Sequence, residues 1–414
     1  MSAGKYSFKG SKVLIIEPKL IRNRGHHHTQ IAALKALFPD HQLHLIAGEG
    51  YDGFAGDAAA TFSKTDIAKA KIRWRFHHGR LRQKVEAFLQ SLLDGGISSY
   101  PSSPFGPKIL EVCEQLGFDK HDMVIIPSAN LDALESVADL VSKLGENAPQ
   151  FNMRLLDPTL GDPKGRRRVQ RMSVVQDAIR TSSKILLFSE TGQLADFMKQ
   201  QFGLSVASGF YLTCSLNPQE PTRKAVDHYK SFRVGLLGAP RPGKGYERAE
   251  AIVSELSSIL DETSLNQPIE ILLQGSDDDY ADGGIYAFAK MFDPKPGKLS
   301  VTCCSNRLDP EDFEELFLST DVILLPYDTS VYGIQGSGLI QDAVAAEKII
   351  VHTQGIAMQD FLSHGNGIAA VSDRELAEAI CDTVLNKSNY KNGCDIAKRY
   401  FSSLLIKHPL LKQA

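Results

Sequence analysis

Short, mainly apolar runs separated by longer amphipathic stretches set the pattern of this chain. Lys12–Glu17 (Lys-Val-Leu-Ile-Ile-Glu) is such a run, closed by Pro18, and reads as a strand buried on both faces. A helix is expected over Thr29–Leu37 and a second strand over His41–Ala47. Met123–Ile126, Phe151–Leu156 and Lys184–Phe188 read as further strands, with helical stretches between them. This alternation predicts an α/β architecture with a parallel, doubly wound sheet.

The segment Ser215–Tyr229 breaks the rhythm. It is polar and aperiodic, carries Asn217-Pro218 and Glu220-Pro221, and reads as an interdomain linker. The pattern then restarts with a strand at Phe232–Leu237, a Gly/Pro-rich loop and a helix over Tyr246–Leu260. Strands are expected at Ile269–Leu273, Leu299–Cys303 and Val322–Leu325, with a helix at Asp309–Ser319. Cys394–Leu411 has the spacing of a final amphipathic helix. The expected division is two Rossmann-like domains, 1–225 and 226–392, with a terminal helix over 393–414 packing back toward the first.

Composition narrows the class. A chain of 414 residues favours two domains over one, and 43% hydrophobic with 23% charged residues is ordinary for a soluble globular protein. No signal-peptide core and no membrane-length apolar run is present, so a cytoplasmic protein is expected. The six cysteines show no CxxC spacing, which points to a reducing compartment without structural zinc. Charge is uneven: +7 through Lys230 and −10 beyond it. A basic first half suits an anionic acceptor or a peripheral membrane contact; two differently solvated surfaces would look the same. Arg73-Trp74-Arg75-Phe76-His77-His78, followed by Arg80, Arg82 and Lys84, is the segment suited to a membrane or lipid phosphate, or to a solvated helix with its aromatics in the core. No nucleic-acid-binding motif accompanies it, and no nucleic-acid partner is expected.

The candidate chemistry concentrates in the second half. Gly336-Ser337-Gly338 stands where a helix opens after a buried strand and Tyr327-Asp328, so its amides and the helix dipole form an anion site. Asp342, one turn on, is placed to accept hydroxyl hydrogen bonds from a sugar. The loop Gly238–Gly245 brings Arg241 and Lys244 to a strand's carboxyl end, where fixed cations stabilise a departing diphosphate. Gln274-Gly275 and Arg307-Leu308, also at strand ends, are candidates to hold a nucleobase. In the first half, Gly25-His26-His27-His28 offers a histidine as polar contact or base. Each feature taken singly is also an ordinary turn or helix start. Together they point to a nucleotide-sugar.

Glu17-Pro18 with Gly25-His26, Asp122–Ser128, Arg154-Leu-Leu-Asp157-Pro158, the loop Gly238–Gly245, and Leu325-Pro-Tyr327-Asp328 with Gly336–Gly338 and Asp342-Ala343 occur in an order that resembles a bacterial GT-B glycosyltransferase. The likeness is to the large retaining group that uses nucleotide-diphosphate sugars, family 4-like, and it spans nearly the whole chain. It implies two facing Rossmann-like domains with a deep interdomain cleft, an acceptor-binding first domain and a donor-binding second one. Arg241 and Lys244 would hold the diphosphate with Gly238 and the Ser337 and Gly338 amides, Asp342 the ribose, and Gln274, Gly275, Arg307, Leu308, Tyr327 and Gly336 the rest of the donor. His26, His27 and Asp157 would serve at the reacting centre, with Gly25, Ser128 and Asn130 on the acceptor side. The acceptor would be a glycan, lipid-linked saccharide or protein, with no cofactor beyond the sugar donor and no catalytic metal. Ile334 stands where many relatives place a first acid, Pro127 lies near a point where some carry a histidine, and Ala346-Glu347-Lys348 replaces a usual Gly-x-Pro. Two other readings therefore stay open: a non-catalytic nucleotide-sugar-binding subunit, and a sugar-nucleotide epimerase.

Overall fold

A computed structural model describes residues 12–21, 27–62, 106–161, 168–221 and 230–412. Gly25, His26 and the Arg73–Lys84 segment lie outside these residues. The described chain divides into two units, one holding residues up to Leu212 and again from Lys407, the other Thr213–Ile406.

In the first unit, β1 (Lys12–Ile16), β2 (Gln42–Gly48), β3 (Ala60–Phe62), β4 (Met123–Ala129), β5 (Gln150–Leu155) and β6 (Ile185–Ser189) form one parallel sheet. Their order is β3-β2-β1-β4-β5-β6. The longer helices are α1 (His27–Leu37), α2 (Gly106–Gln115), α3 (Leu131–Leu144), α4 (Arg168–Thr181) and α5 (Gly192–Phe202). The apolar runs are buried as their composition requires: Val13 and Ile15 of β1 and Ile125 of β4 pack with Ile31 and Leu34 of α1 and with Phe188 and Phe210. Each such side chain contributes about 1.5–3 kcal/mol when fully buried. β4 runs past the expected end at Ile126, with its register slipping around Pro127, which has no N–H to give to the ladder.

The second unit repeats the winding. β7 (Phe232–Leu236), β8 (Ile269–Gly275), β9 (Leu299–Ser305), β10 (Val322–Leu325), β11 (Ile349–Thr353) and β12 (Gly367–Ala370) pair in parallel in the order β12-β11-β10-β7-β8-β9. The longer helices are α6 (Ala249–Glu262), α7 (Pro310–Leu318), α8 (Gly338–Ala345) and α9 (Asp373–Ile406). In each sheet the chain starts at a central strand, builds one side, then steps back to build the other. The reversal lies between β1 and β4 in the first sheet and between β7 and β10 in the second. The carboxyl ends flanking such a reversal are where open α/β sheets bind ligands.

Two boundaries differ from the sequence reading. The expected terminal helix is the second limb of the much longer α9, bent at Asn386 (φ −118, ψ 21). Gly393 is there because α9 crosses the Gly365 turn so closely. A Cβ at Gly393 would lie 2.3 Å from the Gly365 carbonyl carbon. Cys394, Ala397 and Phe401 are buried within the second unit, and only the segment from Lys407 joins the first, through buried Leu410 and His408. The division between the units falls at Leu212–Thr213, ahead of the proline-bearing stretch expected to carry it.

Candidate functional site

The loops after β7 and β10 flank the reversal of the second sheet and are locked together by backbone. The Asp328 amide donates to the Gly243 carbonyl at 2.8 Å. Gly245 sits at φ +64, and a Cβ there would lie 1.7 Å from the Pro326 carbonyl oxygen, so only glycine fits. Gly238 (φ +90) donates its amide to Gln274 Oε1 at 2.6 Å, and Gln274 in turn donates to the Ser305 carbonyl at 3.0 Å. The side chain expected to touch a base thus braces the ends of β7, β8 and β9.

Lys244 is the chemically distinctive group. Its ammonium comes close to Gly238, since a Cβ at Gly238 would lie 3.2 Å from Nζ. It lies 5.7 Å from the centre of the Tyr246 ring. Burial first, and then the Arg241 charge, push its pKa down from 10.5 to about 8. The same Arg241 charge acts on Tyr246 and Tyr332, whose pKa values burial raises. Arg241 itself is exposed. Two cations side by side, one of them largely desolvated, with no carboxylate within 4 Å of either among the described residues, form a site that an anion would relieve.

α8 opens beside them. Ser337 precedes its first turn, and Gly338 and Leu339 head the helix, where amides have no intrahelical acceptor. The Ser337 amide rests on the Met358 sulfur at 3.2 Å, a weak acceptor, and the Ser337 hydroxyl pairs with the Tyr327 hydroxyl at 3.0 Å. Tyr327 is fully buried, its ring 4.2 Å from that of Tyr332. A Cβ at Gly338 would lie 2.7 Å from Cys214 Sγ, so a larger residue there has to displace that side chain.

Asp342, expected at the ribose, is engaged with the backbone of its own unit. It is 3% exposed, and its Oδ1 accepts from the Ser215 and Leu216 amides at 2.7 and 2.9 Å. Burial raises its pKa to about 7 against the pull of those amides. Its carboxylate therefore anchors the first residues of the second unit to α8. Arg307 is exposed and Leu308 half-buried in the turn after β9. The Asn306 amide on the Gly275 carbonyl, at 2.9 Å, joins that turn to β8.

In the first unit, Asn130 caps α3 by accepting from the Ala133 amide at 2.9 Å, and Asp157 accepts from the Thr159 amide at 2.7 Å. Both expected contact residues are thus engaged locally in ordering their turns. His27 heads α1, with Nδ1 3.5 Å from Glu17 Oε2. Ser128 lies half-buried on β4 beside the same carboxylate. The sequence reading gave no role to Arg154, which is fully buried at the end of β5. It donates to the Pro127 carbonyl at 2.7 Å, Gln30 Oε1 at 2.9 Å and Glu190 Oε1 at 3.2 Å. Its signal was a charge inside a predicted buried strand.

Among the described residues no group of three or more His, Cys, Asp or Glu is arranged to hold a metal ion, and no helix is long and apolar enough to cross a membrane. No protein-family model and no curated protein matches the sequence. Solved structures do match over nearly the whole chain. HepE of Anabaena, in complex with UDP, is 12% identical with 97% of each chain covered and a TM-score of 0.59. A UDP-forming α,α-trehalose-phosphate synthase from Burkholderia xenovorans is 10% identical, with 96% of each chain covered and a TM-score of 0.59. Sucrose-phosphate synthase from Thermosynechococcus elongatus is 11% identical, with 98% of each chain covered and a TM-score of 0.57. At these identities the likeness is one of fold, and the fold is the two-domain α/β GT-B architecture.

Proposed function

We propose that this protein is a glycosyltransferase that takes a nucleotide-diphosphate sugar as donor. The observation that carries the reading is the pairing at the β7–β10 reversal of a partly desolvated Lys244, with Arg241 beside it, and the amide-bearing start of α8. A diphosphate satisfies both at once: its charge offsets that of the cations, and its oxygens accept from helix amides that have no intrahelical partner. Stabilising the leaving diphosphate there lowers the barrier to breaking the glycosidic bond. HepE has been solved with UDP and with UDP-glucose, which makes uridine nucleotides the first donors to screen. Gln274 and the turn Asn306–Leu308 are the proposed surroundings of the base, and Gly338 and Ser337 those of the phosphates. Transfer with retention is the outcome the sequence resemblance implies, and proton NMR of the new anomeric centre reads it.

The test is a thermal-shift screen of nucleotide-diphosphate sugars, followed by transfer assays on the donor that stabilises. A bound donor raises the melting temperature by mass action. Arg241→Ala and Lys244→Ala should each lose most turnover while remaining folded; wild-type turnover in both would refute the assignment. One observation favours a second reading. Ile334 replaces a family acid, and Asp342 is engaged with backbone, so donor binding without transfer marks a nucleotide-sugar-binding subunit. Calorimetric donor binding with no product over a broad acceptor panel would select it.

A further inference from the structure

Arg248 closes the short turn that follows the Gly238–Gly245 loop, and α6 begins directly after it. Its amide donates to the Gly245 carbonyl at 3.0 Å. Its guanidinium reaches the loop after β10, where Nη1 donates to the Pro326 carbonyl at 3.3 Å. Pro326 is the residue against which Gly245 packs, so one side chain and its own amide grip both sides of that contact. The rest of the fork is engaged as well. Nη1 also donates to Thr353 Oγ1 at 3.1 Å at the end of β11, Nη2 to the Val371 carbonyl at 3.3 Å after β12, and Nε to Asp373 Oδ1 at 2.7 Å at the start of α9. All these partners lie in the second unit. Asp373 offsets the guanidinium charge, so Arg248 acts as a brace and adds no third free cation beside Arg241 and Lys244. A planar fork with five donors suits acceptors on separate chain segments, which the single ammonium of a lysine cannot reach together.

We propose that Arg248 is a positioning residue for donor binding. Holding the Gly245 and Pro326 carbonyls together, it keeps the Gly238–Gly245 and Pro326–Asp328 loops closed on each other. A diphosphate then meets Lys244 and Arg241 already in place and does not have to order the loops itself, a cost that would otherwise come out of its affinity. The inference rests on the glycosyltransferase reading for what is bound, and on the geometry alone for what holds the loops. The role differs from that of Arg241 and Lys244, which face the anion: Arg248 acts on the ligand only through the backbone it braces.

Arg248→Ala removes the fork and leaves the backbone amide. In the unliganded protein, hydrogen exchange at the Asp328 amide, which donates to the Gly243 carbonyl, should quicken about tenfold or more, while amides within β7 and β8 keep wild-type rates. The Kd for UDP, read by calorimetry, should rise about tenfold or more, the loss expected when charge-assisted hydrogen bonds are removed. Donor KM should rise in step with kcat nearly unchanged, because a saturating donor re-forms the loops. Millimolar methylguanidinium should restore UDP affinity to Arg248→Ala and methylammonium should not, a selectivity that a general loss of stability would not show. Arg248→Lys keeps the charge but not the fork and should bind UDP as weakly as Arg248→Ala; if the alanine variant does not fold, the lysine variant supplies the exchange rate and the Kd. Wild-type exchange at Asp328, or wild-type UDP affinity, in the variant measured overturns the inference. A wild-type protein that binds no nucleotide instead overturns the glycosyltransferase reading, and exchange at Asp328 then still decides whether Arg248 holds the loops.

Discussion

Lys244→Met separates the stability of the unliganded fold from its affinity for a diphosphate. Lys244 has its pKa pushed from 10.5 to about 8, first by burial and then by Arg241. At about 1.4 kcal/mol per pKa unit, keeping it charged in the fold costs about 3 kcal/mol as an upper bound. The Tyr246 ring at 5.7 Å returns part of this, about 0.5–2 kcal/mol. Methionine of similar length therefore stabilises the unliganded protein by about 1–2 kcal/mol, a rise of roughly 2–8 °C in melting temperature. Donor affinity moves the other way, because a charge-assisted hydrogen bond contributes about 1.5–3 kcal/mol, or roughly 10- to 150-fold in Kd. The pH dependence has a definite sign. The folded pKa lies below the unfolded one, so between about pH 8 and 10.5 the unfolded chain binds more protons, and wild-type stability gains as pH rises through that window. The mutant lacks this gain. Differential scanning calorimetry from pH 7 to 10.5, with and without UDP, measures all three effects. A mutant that melts lower than wild type, or one that binds UDP equally well, would refute the reasoning.

Three further outcomes follow from the geometry. Asp342→Asn retains an oxygen for the Ser215 and Leu216 amides and should change stability little or raise it slightly at pH 8, whereas Asp342→Ala strands both amides and should cost about 2–4 kcal/mol in urea melts. Because burial raises the Asp342 pKa to about 7, wild-type stability should fall as pH rises from about 4 to 7 through this group, and Asp342→Asn should remove that component. Gly245→Ala puts a methyl group 1.7 Å from the Pro326 carbonyl oxygen and should abolish the UDP-induced thermal shift by prising the two loops apart. Exhaustive EDTA treatment should leave transfer intact, since the proposed site supplies its charge from Arg241, Lys244 and α8; loss of turnover restored by a divalent cation would overturn that.

Much of the fold is legible in the chain because its causes are local. An apolar run such as Val13–Ile16, short, β-branched and closed by Pro18, reads as a strand buried on both faces, and alternating such runs with amphipathic stretches leads to a parallel sheet. The glycines of Gly238–Gly245 announce a loop that approaches other backbone, and Gly336–Gly338 announces a helix start. Partners distant in sequence decided the rest. Asp342 reads as a sugar contact one turn into a helix, and the fold gives it a backbone role besides, its Oδ1 accepting from amides 127 and 126 residues away. Gly393 is a crossing point, a role that only the position of Gly365 reveals. Arg154 drew notice only as part of a motif, whereas packing surrounds it with Pro127, Gln30 and Glu190. The same holds for Glu17 and His27. The sequence alone determined where strands, loops and candidate charges lie along the chain. Tertiary structure decided which charges are desolvated and which face one another, because burial and pairing depend on what the rest of the fold brings alongside.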